Sequence, residues 1–413
     1  MTSKGKIFVW TLFDFANTSY SIIIVTFLYA VYFKQTVNEG KAIGDLYWSL
    51  GTSIAMIITA IISPVLGAIA DYSAGKKRFL LFFTLQCIIA TALLTFVEKG
   101  NVLSGLILFI IANVGFEAGL VFYDAFLPEI TSPKNYGRVS GYGFGMGYVG
   151  SLVCLAIVYP FIQSNQIKIT FLIAAVFFMI FSLPLFLKLH DTRKIVQAPK
   201  SYLRIGFNRV FWTLKHIKNY KNLSLFLLAY FFYIEGVNTV IFFSGNYAST
   251  TLHFSNIELL VFFITVQTTA ILGSVILGIV ADSIGQKKTI MISLVIWLAT
   301  ITLAYYTQKK EMFYVVGLLA GIAMGSSQST SRSFMSKLTP GDKKTEFFGF
   351  YSFFGKSSAI LGPLVFGYIS YITGNQRYAI SSIAFFFLIG LLILFKVKDT
   401  TAHPQPFPKG REF

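Results

Sequence analysis

Two carboxyl-bearing residues lie inside long apolar stretches, and each is followed by an asparagine and a threonine three and four positions later. The first group, "DFANT", begins at Asp14 with its amide at Asn17, and the second, "EGVNT", begins at Glu235 with its amide at Asn238. Residues three apart share a helix face, so each helix presents both groups on one side. An intramembrane carboxylate is costly unless it is paired, hydrated or protonated, and it marks a functional site by default. The alternative is two buried acids that bond neighbouring helices, although serine or asparagine would serve at lower desolvation cost.

Further polar side chains fall within apolar stretches. Arginine suits bidentate recognition of a carboxylate and lysine acts as a point charge, so Arg332 or Lys356 is a candidate to bind a substrate carboxylate. Asp14 or Glu235 would then take an amine or a proton. Two alternatives are an inner-gate ion pair between Asp124 and Arg332, and a packing role around Lys356, whose neighbours are small. The predicted substrate- and proton-binding set is Asp14, Asn17, Tyr20, Glu117, Glu235, Asn238, Gln328 and Lys356.

A loop motif follows two of the apolar stretches. "LGAIADYSAGKK" (66–77) and "LGIVADSIGQKK" (277–288) lie 211 positions apart and share a glycine and an aspartate. An aspartate at a helix end can accept from the N-terminus of a neighbouring helix, and contacts of this kind would form a conformational switch. The predicted gating set is Gly67, Asp71, Lys76, Lys77, Arg78, Asp124, Gly278, Asp282 and Arg332.

The composition indicates a membrane protein. Of 413 residues, 55% are hydrophobic and 12% are charged, whereas a soluble domain has about 25% charged residues. Cys87 and Cys154 lie in apolar runs and the four histidines are scattered, so neither a disulfide framework nor a metal site is indicated. No nucleophile–base constellation is present in the apolar stretches. We therefore expect no enzyme activity and no cofactor other than a coupling proton.

The apolar stretches predict membrane-spanning helices. A helix needs about 20 apolar residues to cross a bilayer, and twelve stretches qualify. They are 7–33, 46–70, 79–97, 102–127, 139–162, 169–187, 223–247, 257–281, 289–307, 313–335, 347–372 and 378–395. If the N-terminus is cytoplasmic, that side carries 25 of the 34 Lys and Arg residues. This bias predicts that both termini are cytoplasmic and that the protein lies in the cell (inner) membrane. The net charge of +17 then reflects topology and attraction to anionic inner-leaflet lipids rather than nucleic-acid binding.

The predicted domains are two bundles and a linker. The first six spans form an N-terminal bundle, 1–188, and the last six form a C-terminal bundle, 223–398. The linker, 189–222, carries Leu203, Phe207 and other apolar residues at helical spacing among basic ones, which predicts an amphipathic helix on the inner leaflet. The tail, 399–413, is proline-rich and is expected to be disordered.

The two halves repeat one another. Besides the loop motifs, Gly141 and Gly147 match Gly349 and Gly355 at a separation of 208 positions. Parallel repeats related by an axis along the membrane normal are typical of transporters, with the substrate path between them. The predicted fold class is therefore an all-α integral membrane protein with twelve transmembrane helices in two pseudo-symmetric six-helix bundles.

Several stretches resemble a known family. "GAIADYSAGKKR" resembles the loop between helices two and three of the major facilitator superfamily. "FDFANTSYS", "VFYDAFLPEI", "AYFFYIEGVNT", "GSSQSTSRSFMSKLTP" and "FFGFYSFFGKSSAILGPLVFG" are similar to one branch, the vacuole effluxers or autophagy-related permeases, and its bacterial relatives. The resemblance covers nearly the whole chain. It implies the twelve-helix facilitator fold and secondary transport and, for eukaryotic members, efflux of amino acids.

These observations predict a monomeric transporter that moves a small polar solute, such as an amino acid or related metabolite, by alternating access. Efflux is favoured as the direction, and proton coupling through Glu235, with Asp14 as the other candidate carrier, is the hypothesis for energy input. The alternatives are an exporter of drugs or other amphiphiles, which the 17% aromatic content also fits, and a non-transporting receptor or scaffold on the same fold. The predicted partners are the small-molecule substrate and the lipid bilayer.

Overall fold

Every regular element in the described part of the chain is a helix; this part comprises residues 3–41, 43–73, 75–190, 201–359 and 361–399 of a computed structural model. A helix satisfies its own backbone N–H and C=O groups, as an apolar surrounding requires. In chain order the α-helices are α1 Ser3–Tyr20, α2 Leu28–Tyr32, α3 Ile43–Ser73, α4 Lys76–Leu93, α5 Val102–Asp124, α6 Leu127–Ile130, α7 Tyr136–Gln163, α8 Ile167–Lys188, α9 Tyr202–Lys215, α10 Lys221–Thr250, α11 Asn256–Ile284, α12 Gln286–Tyr306, α13 Lys310–Leu338, α14 Lys344–Ser358, α15 Leu361–Thr373 and α16 Gln376–Lys396.

Eleven helical segments among the described residues are long and apolar enough to cross a membrane. They correspond to eleven of the twelve predicted spans. The stretch predicted as the eleventh span, 347–372, contains two helices, because α14 ends at Ser358 and α15 begins at Leu361. Pro363 lies in the first turn of α15, a position at which proline is tolerated because its missing N–H would have no partner within the helix. This span therefore contains an additional helix N-terminus.

The first span is longer and less regular than predicted. It runs from Ser3 to Val37, over 35 residues, rather than over 7–33. Two π-helical segments, Ser21–Phe27 and Phe33–Val37, flank the short helix α2. π-helical turns within membrane helices are frequently found at functional sites. The first of them follows directly after the polar end of α1.

The chain forms two compact units, of which the first contains Met1–Ile130, Met146–Val210 and Lys343–Gly349. Its core joins α1 to α5 through Trp10 and Tyr123, whose rings stack with their centroids 4.7 Å apart. Trp10 Nε1 donates to the Tyr123 carbonyl at 3.1 Å, and the Tyr123 hydroxyl donates to the Trp10 carbonyl at 3.0 Å. Both polar atoms thus find partners inside an apolar core, and the pairing fixes α1 against α5.

The second compact unit contains Thr131–Gly145, Phe211–Asp342 and Phe350–Phe413. Within it, α11 and α13 approach each other at glycines. A Cβ atom at Gly273 would overlap the backbone of α13, and one at Gly321 would overlap the backbone of α11. Small residues of this kind allow membrane helices to pack with their backbones in contact.

Two helices begin in one compact unit and continue in the other. Residues 136–145 of α7 belong to the second unit, and residues 344–349 of α14 belong to the first. The two helix starts occupy equivalent positions in the sequence repeat, 208 residues apart. Each start packs beside a helix that ends in one of the repeated loop motifs. We call the contact of α3 with the start of α14 the first crossing and the contact of α11 with the start of α7 the second crossing. The predicted gating aspartates, Asp71 and Asp282, lie at these two crossings.

The linker contains a helix, α9, that lies against α3. A Cβ atom at Gly206 would sit 2.7 Å from Ile69 and 3.0 Å from Val65, so the glycine permits close approach. Leu203 and Phe207, by contrast, are exposed, as are Phe211 and Leu214. Residues 191–200 of the predicted linker and 400–413 of the predicted tail lie outside the described residues.

Candidate functional site

The carboxyl and the amide of the first motif form a pair in α1. Asp14 and Asn17 are both buried, and Asn17 Nδ2 donates to Asp14 Oδ1 at 3.4 Å. The adjacent Thr18 hydroxyl donates to the Gly147 carbonyl of α7 at 2.9 Å. A glycine at position 147 allows this approach, because a Cβ atom there would lie 3.2 Å from the Thr18 methyl group. The polar face of α1 is therefore held against α7 within the first unit.

A second buried polar group joins α1 to α5 in the same unit. The Tyr20 hydroxyl donates to Asn113 Oδ1 at 3.4 Å, while Asn113 Nδ2 is buried and has no hydrogen-bond partner among the described residues. Glu117, one helical turn after Asn113 on the same face of α5, is also buried. An orphaned amide donor in an apolar core is unfavourable. The Tyr20–Asn113–Glu117 group is thus able to bind a hydrogen-bond acceptor.

Glu235 of the second motif lies at the break in the eleventh predicted span. Its side chain is 0% exposed. Oε1 accepts from the Gly362 backbone N–H in the first turn of α15 and from the Thr239 hydroxyl at 3.1 Å. Oε2 is buried without a hydrogen-bond partner among the described residues. Ser358, at the end of α14, is a further hydroxyl beside this carboxyl group. One oxygen is therefore fully engaged, and the other is available to a proton or a donor.

The two motifs do not use their residues in the same way. In the first, the amide three positions after the carboxyl bonds to it. In the second, Asn238 is half-buried, and the carboxyl instead accepts from Thr239, four positions after it. The N-terminus of α15 supplies the second donor to Glu235. Whether the two carboxyl groups face one cavity remains a prediction, because each lies in its own compact unit.

Arg332 is held by the start of α7 within the second unit. Its Nε donates to the Ser140 hydroxyl and its Nη2 to the Ser140 carbonyl, both at 2.9 Å. The guanidinium also lies 4.2 Å from the centre of the Phe144 ring, a cation–π contact. Asp124 is the last residue of α5 in the first unit, so its ion pair with Arg332 remains a prediction. Gln328 and Lys356 are half-buried.

In the first unit, α3 crosses the start of α14 at the first loop motif. Asp71 Oδ2 accepts from the Glu346 backbone N–H at 2.8 Å. A Cβ atom at Gly67 would overlap the Thr345 carbonyl and lie 3.1 Å from the Glu346 Cα. The glycine thus permits backbone contact, and the aspartate caps a helix N-terminus, where a negative charge is stabilising.

In the second unit, α11 crosses the start of α7 at the second loop motif. Asp282 accepts from the backbone N–H groups of Gly137 at 2.7 Å and Arg138 at 3.1 Å. The Arg138 side chain adds an ion pair, with Nε 2.7 Å from Asp282 Oδ2. A Cβ atom at Gly278 would lie 2.7 Å from the Gly137 carbonyl. This crossing therefore reproduces the capping contact of the first one, and it contains a salt bridge between Arg138 and Asp282.

The basic residues of the first loop motif have separate surroundings. Lys76 is buried and forms an ion pair with Glu129 at 2.6 Å, donates to the Ala125 carbonyl at 3.2 Å and lies 4.3 Å from the Phe126 ring centre. It therefore ties α4 to the segment after α5. Lys77 is half-buried and Arg78 is exposed.

Several residues that take part in the contacts of these sites were not predicted from the sequence. Asn113 lies one turn before Glu117 in the same apolar stretch, so its spacing could have revealed it. Gly362 precedes a proline inside a predicted span, which is a signal for a helix start. The partners of Glu346 gave no signal, because Arg209 lies 137 positions away.

The described residues contain no group of three or more His, Cys, Asp or Glu side chains placed to hold a metal ion. Cys87 and Cys154 are both buried free thiols. The side chains at the sites described above are carboxyl, amide and hydroxyl groups together with a few cations. Such groups bind polar solutes and protons.

The chain resembles known proteins over most of its length. Residues 47–405 match the family model described as "Vacuole effluxer Atg22 like". The chain is 34% identical over 407 residues to "Uncharacterized MFS-type transporter YxiO" of Bacillus subtilis (strain 168), covering 95% of each. It is 24% identical over 404 residues to "Autophagy-related protein 22" of Kluyveromyces lactis, covering 86% of this chain and 82% of the relative.

Two solved structures resemble the fold. The proton:xylose symporter XylE superimposes with a TM-score of 0.76 at 14% identity, covering 97% of both chains. The E. coli fucose:proton symporter FucP gives 0.72 at 13% identity, covering 96% of this chain and 98% of the other. At such low identities these similarities concern the fold alone.

Proposed function

The chain belongs to the Atg22-like vacuole effluxer family of the major facilitator superfamily, and we propose that it exports a small polar solute, an amino acid or related metabolite, in exchange for protons. The two facilitator structures confirm the predicted membrane fold, and the family confirms the interpretation as a transporter rather than an enzyme. The substrate, the direction of transport and the coupling ion are proposals that rest on the contacts of Glu235, Lys356 and Asp14.

The observation that carries proton coupling is the asymmetry of Glu235. Two donors engage Oε1, and Oε2 is buried without a partner among the described residues. A buried ionised carboxylate needs compensation for its lost hydration, and protonation provides it. Oε2 is therefore the position at which a proton would be carried. Asp14, whose carboxyl is bonded by Asn17, is the second candidate carrier.

Recognition of an amino acid requires a cation for its carboxylate and an acceptor for its amine. Arg332 is engaged by Ser140 and by the Phe144 ring, which supports a role in holding the start of α7. Lys356, half-buried three residues before the break in the span, is the better candidate for the carboxylate. Asp14 is a candidate for the amine.

Alternating access requires contacts that form and break. The capping contacts of Asp71 and Asp282 are suited to this role, because each consists of a few polar interactions at a glycine-lined crossing. We place both aspartates in the conformational switch and outside substrate binding.

The proposed setting is the cell membrane, with both termini in the cytoplasm and the protein acting as a monomer. The bias of basic residues toward one set of loops supports this orientation. The exposed apolar side chains of α9, with Arg204 and Lys215 beside them, support its lying on an anionic inner leaflet.

Counterflow in proteoliposomes tests the proposal. Labelled amino acids are offered one at a time to vesicles loaded with the same unlabelled compound, with no ion gradient imposed. Exchange of at least one of them would support carrier activity and define the substrate chemistry. Silence across the panel from folded protein would remove the amino-acid assignment and favour export of amphiphiles, and ligand binding without flux would favour a receptor.

A further inference from the structure

The two gating crossings differ in charge at one equivalent position. Arg138 and Glu346 are 208 residues apart and so occupy the same place in the repeat, each in the first turns of its helix. Arg138 forms an ion pair with the aspartate that caps its helix, Asp282. Glu346 has the same sign as Asp71, which caps its own helix. The position that carries a cation at the second crossing therefore carries an acid at the first.

The carboxyl group of Glu346 is nevertheless buried, with 0% exposure of its side chain. Arg209 of the linker helix α9 reaches it, with Nε 3.4 Å from Oε2, and Lys343 lies 3.8 Å from Oε1. Arg209 is itself only 13% exposed. A buried carboxylate beside another acid requires nearby cations. One of these cations comes from a helix that lies outside the sequence repeat.

We propose that α9 is a latch on the first gating crossing and that Arg209 supplies the charge that the repeat places at Arg138 in the second. Docking of α9 on α3, through Gly206 against Ile69, brings Arg209 to Glu346 and holds the start of α14 on α3. When α9 leaves, Glu346 and Asp71 face each other with less compensation, and the crossing loosens. Arg209 is thus a positioning residue. The inference rests on the proposed role of this crossing in transport.

A substrate-independent experiment tests the latch. Hydrogen–deuterium exchange of the purified full-length protein is followed in the peptide covering 343–349, which contains the amide bonded to Asp71. Arg209→Gln should raise exchange in this peptide several-fold while leaving the thermal melting midpoint close to that of the unchanged protein. Arg204→Gln, at an exposed position of the same helix, is the matched control and should leave exchange unchanged.

Rescue separates the latch from a general structural role. Glu346→Arg places at the first crossing the residue type that the second crossing has, so the double variant R209Q/E346R should return the peptide to the protection of the unchanged protein. If R209Q does not fold, Arg209→Lys, which keeps the charge, replaces it and should show an intermediate exchange rate.

Unchanged exchange in R209Q would overturn the proposal, and so would a double variant as unprotected as R209Q. Exchange and counterflow are independent measurements. The expected exchange pattern together with silent counterflow would support the latch and remove the amino-acid assignment. Active counterflow together with unchanged exchange would support the amino-acid assignment and overturn the latch.

Discussion

Glu235 is the residue at which the proposed coupling is most directly testable. Replacing it with glutamine keeps an acceptor for the Gly362 N–H and the Thr239 hydroxyl but removes the group that exchanges a proton. We expect Glu235→Gln to abolish accumulation driven by a pH gradient while retaining counterflow, because exchange of solute for solute requires no net proton movement. Uptake into proteoliposomes with and without an imposed gradient measures both activities.

Glu311→Gln is the matched control for this prediction. Glu311 is an exposed carboxyl in the first turn of α13, so its loss removes the same charge without touching the buried site. Accumulation by Glu311→Gln should equal that of the unchanged protein. Full pH-driven accumulation by Glu235→Gln would show that the coupling proton is carried elsewhere, with Asp14 next to be replaced.

Residue identity and spacing predicted that Asp14 and Glu235 are candidate site residues, but they did not predict which groups form hydrogen bonds with the two carboxyl groups. Asp14 and Glu235 head the same motif, and i,i+3 spacing holds for both. Asn17 bonds to its carboxyl, whereas Thr239 takes that place beside Glu235. The difference arises from α15, whose N-terminus engages Glu235 from a segment more than 120 positions away. Local spacing carries no information about such a partner.

At the scale of helices, glycine contacts decide how closely α11 and α13 pack. Gly321→Ala would place a methyl group against the Val266 carbonyl and the Thr269 hydroxyl of α11. Overpacking of this kind costs about 1–3 kcal/mol, which exceeds the gain of about 1 kcal/mol that alanine brings to a helix interior. We expect a lower melting temperature in detergent, measured by intrinsic fluorescence or light scattering.

Gly367→Ala is the matched control within a helix. A Cβ atom at Gly367 of α15 would meet nothing within 4 Å, so only the gain in helix propensity should act there. Its melting temperature should equal or exceed that of the unchanged protein. Equal melting temperatures for the two variants would show that α11 and α13 can separate without loss of stability.

Apolar periodicity predicted eleven of the twelve spans as helices but missed the break in the other. The stretch 347–372 remains apolar on both sides of residues 359–360. A hydropathy profile reflects the polarity of side chains, so it does not reveal where a helix is interrupted. Pro363 was the available signal, since it disfavours a helix interior and suits a first turn. The π-helical segments after Tyr20 had no signal of this kind.

At the scale of the whole chain, the internal repeat predicted more than any single motif. It implied two equivalent halves and two equivalent aspartates, Asp71 and Asp282. It did not reveal that the starts of α7 and α14 cluster with the opposite units, since packing between distant segments leaves no periodic trace in one sequence. The repeat places Arg138 and Glu346 at equivalent positions, but the sequence does not show what their opposite charges do. That depends on the side chains that contact each of them, which only the structure reveals.

The proposed switch role assigns both aspartates to the transport cycle of the whole molecule, so their replacement should change the transport rate rather than the substrate affinity. Asp71→Asn keeps an acceptor for the Glu346 N–H but loses the charge at a helix N-terminus. That charge contributes about 0.3–1 kcal/mol, which corresponds to about a two- to fivefold change in the transport rate. Asp282→Asn should likewise change the rate, because it weakens the cap on α7 and removes the ion pair with Arg138.

The effect on transport rate is distinguished from an effect on substrate affinity by measuring substrate binding and turnover on the same preparation. Equilibrium substrate affinity, measured by calorimetry, should be unchanged in both variants, because neither aspartate is placed at the substrate site. The rate of counterflow should shift in both. A loss of affinity with normal turnover would contradict the switch role and move the aspartates into the binding site.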